Sequence, residues 1–293
     1  MPSLPTLFVT GAGGKLGSRV VELLLARGYA GKIIAGSRHP ERLDFAGVET
    51  RTADFSDPAA FTAALAGVDH VLIISTGEIG AARVKLQTDA VAAAKAAGVR
   101  HIVYTSLPDP EPGNVIPMAA DHYATEQAIK ASGIGYTILR NSWYTENLLG
   151  SLPPALASGK WYTAAGTGRI SHVTREDTAK AAAGALLADA PGSRVLTITG
   201  PETLTVRELA TVASEVTGRP IAVVDVSGEE YAAGLTQAGF APELAGLFTT
   251  FEIGQRNGAL SMVTNAVETL WGDKPESVRD FLAANRAALV PSA

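Results

Sequence analysis

Gly11, Gly14 and Gly17 stand three residues apart, directly after the apolar stretch 7–9 and at the start of a helical pattern over 15–27. In this spacing the first glycine turns the chain out of a strand, the second admits a pyrophosphate, and the third lets the helix pack on the sheet. The unpaired N–H groups at the helix N-terminus favour a negatively charged ligand. The run therefore predicts a dinucleotide-binding loop. Its predicted contacts are Gly11, Gly13, Gly14, Lys15, Leu16 and Gly17.

The residues after the second predicted strand indicate which dinucleotide this loop selects. A site for NAD usually places an Asp or Glu about twenty residues past the glycines, where it binds the ribose 2′-hydroxyl. Here the strand ends in Ser37 and Arg38. A guanidinium offers a planar fork of donors to phosphate oxygens, so Ser37 and Arg38 favour the 2′-phosphate of NADPH. The alternative is a solvated arginine in the loop before His39 and Pro40.

Three further pairs of residues stand where predicted strands end, the edge at which ligands bind to parallel sheets. They are Asp54 with Phe55 near the adenine, and Ser75 with Thr76 and Tyr104 with Thr105 on the nicotinamide side. Two alternatives stay open. Asp54 and Asp57 are also suited to capping a helix, and core packing accounts for Tyr104 equally well.

The residue pair that short-chain dehydrogenases use for proton exchange, Tyr-x-x-x-Lys, is broken in this chain. Tyr123 is followed four residues later by Gln127. In a second register, with Glu126 as the glutamate of Tyr-x-x-x-Lys-x-x-x-Glu, the tyrosine and lysine positions hold Met118 and His122. Neither register supplies a phenol and an ammonium together. His122 is the one catalytic candidate, as a contact to the nicotinamide ribose or a proton donor; the alternative is an ordinary helix histidine.

The substrate side is predicted after the sixth strand, where Asn141, Trp143, Tyr144 and Asn147 follow in sequence. Trp143 and Tyr144 offer flat apolar faces on which a planar ring can stack. The alternative is that these aromatic rings pack an interface between two lobes. The proline-rich segment 107–117 is either a lid or a stiff connector.

A family resemblance extends over most of the chain. The segments that carry it are 10–17, 37–38, 53–55, 94–99, 104–106, His122 with Thr125 and Glu126, 132–134, 136–141, 143–147, 164–168 and 173–175. They resemble the NmrA-like, atypical short-chain dehydrogenases, and within that group the type 2 NADPH quinone oxidoreductases and triphenylmethane reductase. The run around Arg140 and Asn141 is the most specific part.

The resemblance implies direct hydride transfer from NADPH to a quinone, and the residue chemistry agrees with it. Reduction of a ketone gives a basic alkoxide and demands a general acid. Hydride addition to a quinone gives a phenolate-type anion whose conjugate acid titrates near pH ~10, so solvent or one hydrogen bond suffices. The missing Tyr–Lys pair therefore counts against an alcohol dehydrogenase or a sugar-nucleotide epimerase.

Two other functions stay open beside a quinone reductase. An azo or triarylmethane dye is also a flat, conjugated acceptor. NmrA-like proteins further include regulators that bind NADP without turnover and report its redox state. For a reductase the expected partner is a small planar acceptor, whereas a regulator would signal through partners; a homo-oligomer remains open.

The elements that must position these residues alternate as strands and helices. Strands are predicted at 32–36, 49–53, 70–75, 101–105 and 136–139, with helices at 81–97 and 119–131. This pattern predicts an α/β fold with a doubly wound parallel (Rossmann) sheet and a smaller C-terminal substrate lobe. The NADP-binding domain is placed at 1–150, with returning segments near 164–200, and the lobe mainly at 151–293. Capping boxes are predicted at Thr174 and Thr205.

Composition excludes several classes of function. The net charge is −5 without clustered Lys or Arg, which counts against nucleic acid as a partner. The absence of cysteine excludes disulfides, thiolate nucleophiles and cysteine-based metal sites. The five histidines show no metal-ligand spacing, so no metal is expected. No apolar stretch approaches the length of a membrane span, and we expect a cytoplasmic protein without membrane contact.

Overall fold

The computed structural model describes residues 4–188 and 192–290, and a seven-stranded parallel sheet lies at the centre of this part. The strands of the described residues, long and short, are β1 Leu7–Val9, β2 Ile33–Ser37, β3 Glu49–Thr52, β4 His70–Ile73, β5 His101–Ser106, β6 Gly135–Asn141, β7 Trp143–Tyr144, β8 Lys160–Thr163, β9 Arg169–Ile170, β10 His172–Val173, β11 Arg194–Ile198, β12 Leu204–Thr205 and β13 Ala222–Asp225. The central sheet has the order β11-β6-β5-β4-β1-β2-β3. The order reverses between β1 and β4, where open α/β sheets bind ligands.

Helices cover both faces of this sheet. The helices of the described residues are α1 Lys15–Ala26, α2 Pro58–Ala64, α3 Ala81–Ala96, α4 Pro117–Ser132, α5 Leu148–Ser158, α6 Arg175–Leu187, α7 Val206–Thr217, α8 Gly228–Gln237, α9 Pro242–Arg256, α10 Ala266–Trp271, α11 Val278–Ala284 and α12 Arg286–Leu289. Because side chains alternate along a strand, Leu7 and Val9 pack with α1 and α6, whereas Phe8 packs with α2 and α3. The predicted doubly wound α/β fold is confirmed.

A third apolar cluster lies beyond the sheet. It joins residues of α5, α7, α11 and α12, with Trp143 packed against it. Between these helices the chain returns once to the central sheet, because β11 pairs with β6 in parallel. The domain boundary at residue 150 stays a prediction.

Helix α5 contains two prolines, Pro153 and Pro154, inside its span. A proline inside a helix costs about 3 kcal/mol, and buried Leu152 and Leu156 offset that cost by packing. The capping box at Thr205 is confirmed with both of its bonds.

The second predicted capping box, at Thr174, forms only in part. Thr174 Oγ1 accepts a hydrogen bond from Asp177 N at 3.0 Å. The Asp177 carboxylate binds the Thr174 hydroxyl and Glu276 N, at 2.7 and 2.8 Å, instead of returning to the Thr174 backbone.

Within residues 4–188 and 192–290, none of the helices is long and apolar enough to cross a bilayer.

Candidate dinucleotide and acceptor site

The glycine loop joins the carboxyl end of β1 to α1 in a tight turn. Gly11 has a φ of +62°, and Gly14 N donates to Gly11 O at 2.9 Å. A Cβ on Gly17 would lie 2.3 Å from Gly11 O, so only glycine fits there. Gly14 occupies the N-cap of α1 and has no side chain to cap it. The first-turn N–H groups of α1 are therefore available to a phosphate.

The end of β2 lies against this loop. A Cβ on Gly13 would contact Ser37 Oγ at 3.3 Å and Leu43 Cδ2 at 3.7 Å, so the loop and β2 are in contact. Arg38 is exposed and forms no hydrogen bond or close ion pair with the described residues. It is an exposed cation one residue after Ser37, which contacts the glycine loop. Leu43 was missed from the sequence, since nothing local marks it as a neighbour of Gly13.

Asp54 and Phe55 lie at the same end of the sheet. Asp54 Oδ1 accepts from Ser56 N at 2.9 Å and from Ser56 Oγ at 2.8 Å. These two bonds lower the pKa of Asp54, and the nearby charge of Arg38 also lowers it. Asp57 caps α2 through Ala60 N, and the Phe55 ring meets Phe61 edge-on with centroids 5.0 Å apart. Asp54 and Phe55 are thus both engaged with neighbouring residues, and their role as adenine contacts stays a prediction.

At the switch point, hydroxyl groups bind the ends of three strands together. Ile74 N donates to Thr10 Oγ1 at 3.0 Å, and Ser75 N donates to Thr105 Oγ1 at 2.9 Å. Thr76 N donates to Gln87 Oε1 at 3.3 Å, whereas Thr76 Oγ1 is buried with no partner among the described residues. The structure thus brings the predicted Ser75, Thr76 and Thr105 together. Thr10 and Gln87 are additions that sequence reasoning missed.

His122 lies on α4 and is bonded to β5. Its Nδ1 is 2.7 Å from Tyr104 Oη, and both side chains are buried. Burial, together with the charge of Arg83, lowers the pKa of His122 to about 3. Burial also raises the pKa of the Tyr104 phenol. His122 is therefore neutral at ordinary pH.

Arg83 of α3 and Asp121 of α4 form a buried pair that sequence reasoning missed. Arg83 is only 6% exposed, and its Nη1 is 4.0 Å from Asp121 Oδ2. The same Asp121 oxygen accepts from Gly80 N at 2.8 Å. Arg83 Nε and Nη1 have no hydrogen-bond partner within the described part of the chain. The spacing of Arg83 and Gln87, four residues apart on one helix face, was the available signal.

Glu126, one turn after His122, is fully buried and bonds to side chains of β5 and β6. It accepts from Ser106 Oγ at 2.8 Å and from Arg140 Nε and Nη2 at 2.9 and 2.7 Å. Burial by itself raises the pKa of this carboxyl, but the bonds from Arg140 and Ser106 outweigh burial and lower it. Glu126 is therefore an ionised acceptor within the protein.

The four residues of the predicted substrate side are placed in different surroundings. Trp143 packs on Phe251 of α9 with ring centroids 4.4 Å apart, as in the lobe-packing alternative. The guanidinium of Arg175 lies over the Tyr144 ring at 5.3 Å, and burial raises the pKa of Tyr144 to about 12. Asn141 is buried, and its Oδ1 has no partner among the described residues. Asn147 is exposed before α5. Their role as substrate contacts stays a prediction.

The segment 107–117 connects the end of β5 to the start of α4. A Cβ on Gly254 would lie 2.8 Å from Ile116 Cδ1, so this end of the segment packs closely on α9.

Within residues 4–188 and 192–290, no cluster of three or more His, Asp or Glu side chains is suited to a metal ion.

Comparison with known proteins gives consistent matches. The family model described as NAD(P)H-binding matches residues 11–189. Quinone oxidoreductase 2 of Escherichia coli is 38% identical over 257 residues, covering 86% of this chain and 88% of that protein. The structure of the NADPH-dependent quinone oxidoreductase of E. coli complexed with NADPH aligns with a TM-score of 0.89 at 34% identity, over 96% of this chain and 99% of that one. Triphenylmethane reductase of Citrobacter sp., complexed with NADP(H), aligns with a TM-score of 0.87 at 32% identity, over 96% and 100%.

Proposed function

Because the chain belongs to the NAD(P)H-binding family, we propose that it is an oxidoreductase that passes a hydride from NADPH to a flat, conjugated acceptor, and first of all to a quinone. The predicted resemblance to the NmrA-like reductases is confirmed by these relatives. The preference for NADPH over NADH and the identity of the acceptor belong to the proposal.

The residues at the lysine and tyrosine positions support this proposal. The lysine position of the second register holds a neutral, buried histidine, and the tyrosine position holds Met118. An alkoxide product would need a proton donor in the transition state. A hydroquinone anion, with a pKa near ~10, does not need one. The side chains present therefore suit an acceptor whose reduced product is acidic.

The residues that would hold the cofactor fit a dinucleotide phosphate. The uncapped N-terminus of α1 offers N–H groups to the pyrophosphate, and Gly17 allows that helix to approach the loop. Arg38 offers its unpaired guanidinium to a 2′-phosphate. When bound, the nicotinamide supplies the hydride. The protein contributes the position of the two reactants and the exclusion of water between them.

A panel of acceptors tests the proposal. Loss of NADPH absorbance is followed with simple quinones, a triarylmethane dye, an azo dye and a simple ketone at equal concentration. We expect turnover with quinones and none with the ketone. NADPH binding without turnover of any acceptor would overturn the reductase and favour a redox sensor.

A dye reductase is the second candidate, because the structure aligns with triphenylmethane reductase with a TM-score of 0.87. In the same panel it predicts a higher kcat/KM for the triarylmethane dye than for any quinone.

A further inference from the structure

The contact between Tyr104 and His122 has a defined direction. Tyr104 lies on β5 with no exposed surface, and its Oη is 2.7 Å from His122 Nδ1 on α4. A neutral imidazole carries one N–H, so either Nδ1 or Nε2 is protonated. The partner of one nitrogen decides which.

The surrounding hydrogen bonds indicate that the phenol is the donor. Gln87 Oε1 accepts from Thr76 N, and this bond orients the amide so that Gln87 Nε2 donates to Thr125 Oγ1 at 3.0 Å. Thr125 Oγ1 donates its single proton to Asp121 O at 3.0 Å, so it has none to give to the phenol. Among the described residues, the one hydrogen bond of Tyr104 Oη within 3.5 Å is that to His122 Nδ1. If Nδ1 carried the proton, the buried phenol O–H would have no acceptor, so the phenol donates and Nδ1 accepts.

The second ring nitrogen is left without a protein partner. With Nδ1 accepting, Nε2 carries the proton, and it is bonded to none of the described residues. Ser106 at the end of β5 bonds to Glu126, one turn after His122, so the imidazole lies beside the carboxyl ends of the central strands. An N–H without a protein partner at this edge is a donor available to a ligand.

The charged and titratable groups that face the ring come from three elements. Arg83 on α3 disfavours the imidazolium, Glu126 on α4 favours it weakly, and Tyr104 on β5 contributes its phenol. Burial and Arg83 together keep His122 neutral.

We propose that Tyr104 is a positioning residue that holds His122 as the Nε2–H tautomer, so that a neutral N–H donor is offered to an oxygen atom of the bound ligand. That oxygen is a ribose hydroxyl of the dinucleotide or a carbonyl oxygen of the acceptor. The inference rests on the proposed function for the ligand, whereas the tautomer itself is a property of the free protein.

The tautomer is measured first, without cofactor or acceptor. In protein labelled with ¹⁵N-histidine, the His122 signals are assigned by their loss in the H122Q variant. We expect Nδ1 to be unprotonated and Nε2 protonated, unchanged from pH 8 to pH 5, because burial lowers the pKa of His122 to about 3. In the Tyr104→Phe variant we expect a mixture of tautomers. A protonated Nδ1 in the wild-type protein would overturn the proposal even if the enzyme reduces quinones.

The ligand contact is measured by a double-mutant cycle. Glutamine at position 122 places an N–H donor near the Nε2 position and needs no tautomer control. In the His122 background we expect Tyr104→Phe to cause a loss of about fivefold, as for one lost hydrogen bond, in either the affinity for NADPH or kcat/KM for the quinone. In the H122Q background we expect no loss in either quantity. Tyr136→Phe, on β6, is the matched control, and thermal unfolding checks the fold of every variant.

The two ligand oxygens give different results. If the ribose is the acceptor, the Kd for NADPH rises in the absence of any quinone. If the quinone oxygen is the acceptor, that Kd is unchanged and kcat/KM for the quinone falls, again only in the His122 background. Equal losses in both backgrounds, or no loss in either, would contradict the proposal.

Discussion

Arg140 and Glu111 form an ion pair that connects the end of β6 to the segment 107–117, with Nη2 2.6 Å from Oε1. The same guanidinium makes two bonds to the fully buried Glu126. Arg140 is thereby fixed on one side by a buried carboxylate and on the other by an exposed one. The segment is also held by Ile116 against α9. Arg140 and Ile116 thus attach the segment at two points.

Glu126→Gln is expected to lower the free energy of unfolding by about 3 kcal/mol, because it leaves the mostly buried Arg140 without its main partner. Glu111→Gln removes the exposed partner of the same arginine and should lower the free energy of unfolding by less than about 1 kcal/mol. Urea unfolding of the two variants measures the difference. Equal losses would show that Glu126 is not the partner on which Arg140 depends.

Arg38→Ala is expected to weaken NADPH binding by roughly ten- to hundredfold, the value of one or two charge-assisted hydrogen bonds to phosphate. NADH lacks that phosphate and should bind almost as before. Fluorescence titration with the two cofactors gives both constants. Arg42→Ala, an exposed arginine in the next turn, is the matched control. A similar loss for NADPH and NADH would refute the phosphate role of Arg38.

Gly17→Ala is expected to lower both stability and cofactor affinity, because the new Cβ would lie 2.3 Å from the backbone oxygen of Gly11. Gly150→Ala, in α5, meets open space and should raise the free energy of unfolding by up to about 1 kcal/mol through helix propensity. Thermal unfolding and NADPH titration of both variants compare the two sites. A tolerated Gly17→Ala would contradict the close approach of α1 to the loop.

Stability is expected to fall as the pH decreases from about 6.5 towards 4. Burial lowers the pKa of His101 to about 4, that of His172 to about 4 and that of His122 to about 3. The unfolded chain then binds protons that the folded chain does not, so these histidines stabilise the fold above the ordinary histidine pKa and lose that contribution below it. As the pH falls through this window, each of these histidines lowers the free energy of unfolding by roughly 1.4 kcal/mol per pH unit.

Urea unfolding at pH 7, 6 and 5 measures how steeply the free energy of unfolding depends on pH. His101→Gln should make this dependence shallower, and replacement of the exposed His39 by Gln serves as the comparison. A stability that is flat between pH 7 and pH 5 would contradict the assignment of these histidines as buried and neutral.

The sequence by itself determined the parts of this protein that depend on neighbours along the chain. The glycine spacing from Gly11 to Gly17 fixes a tight turn, because backbone conformation and the missing Cβ act within a few residues. The alternation of strands and helices gave the parallel sheet, and Thr205 with Glu208 gave a helix start. The position of Arg38 followed from the length of one βα unit.

Only the tertiary structure decided which distant side chains meet. Tyr104 and His122 are bonded across β5 and α4, and Trp143 packs on Phe251, which lies far along the chain. Such partners depend on how elements pack, and packing leaves no local signature in residue order. The same holds for α5, where buried leucines stabilise a helix that contains two prolines. Local conformation is encoded locally, whereas the direction of a buried hydrogen bond is set by every element that encloses it.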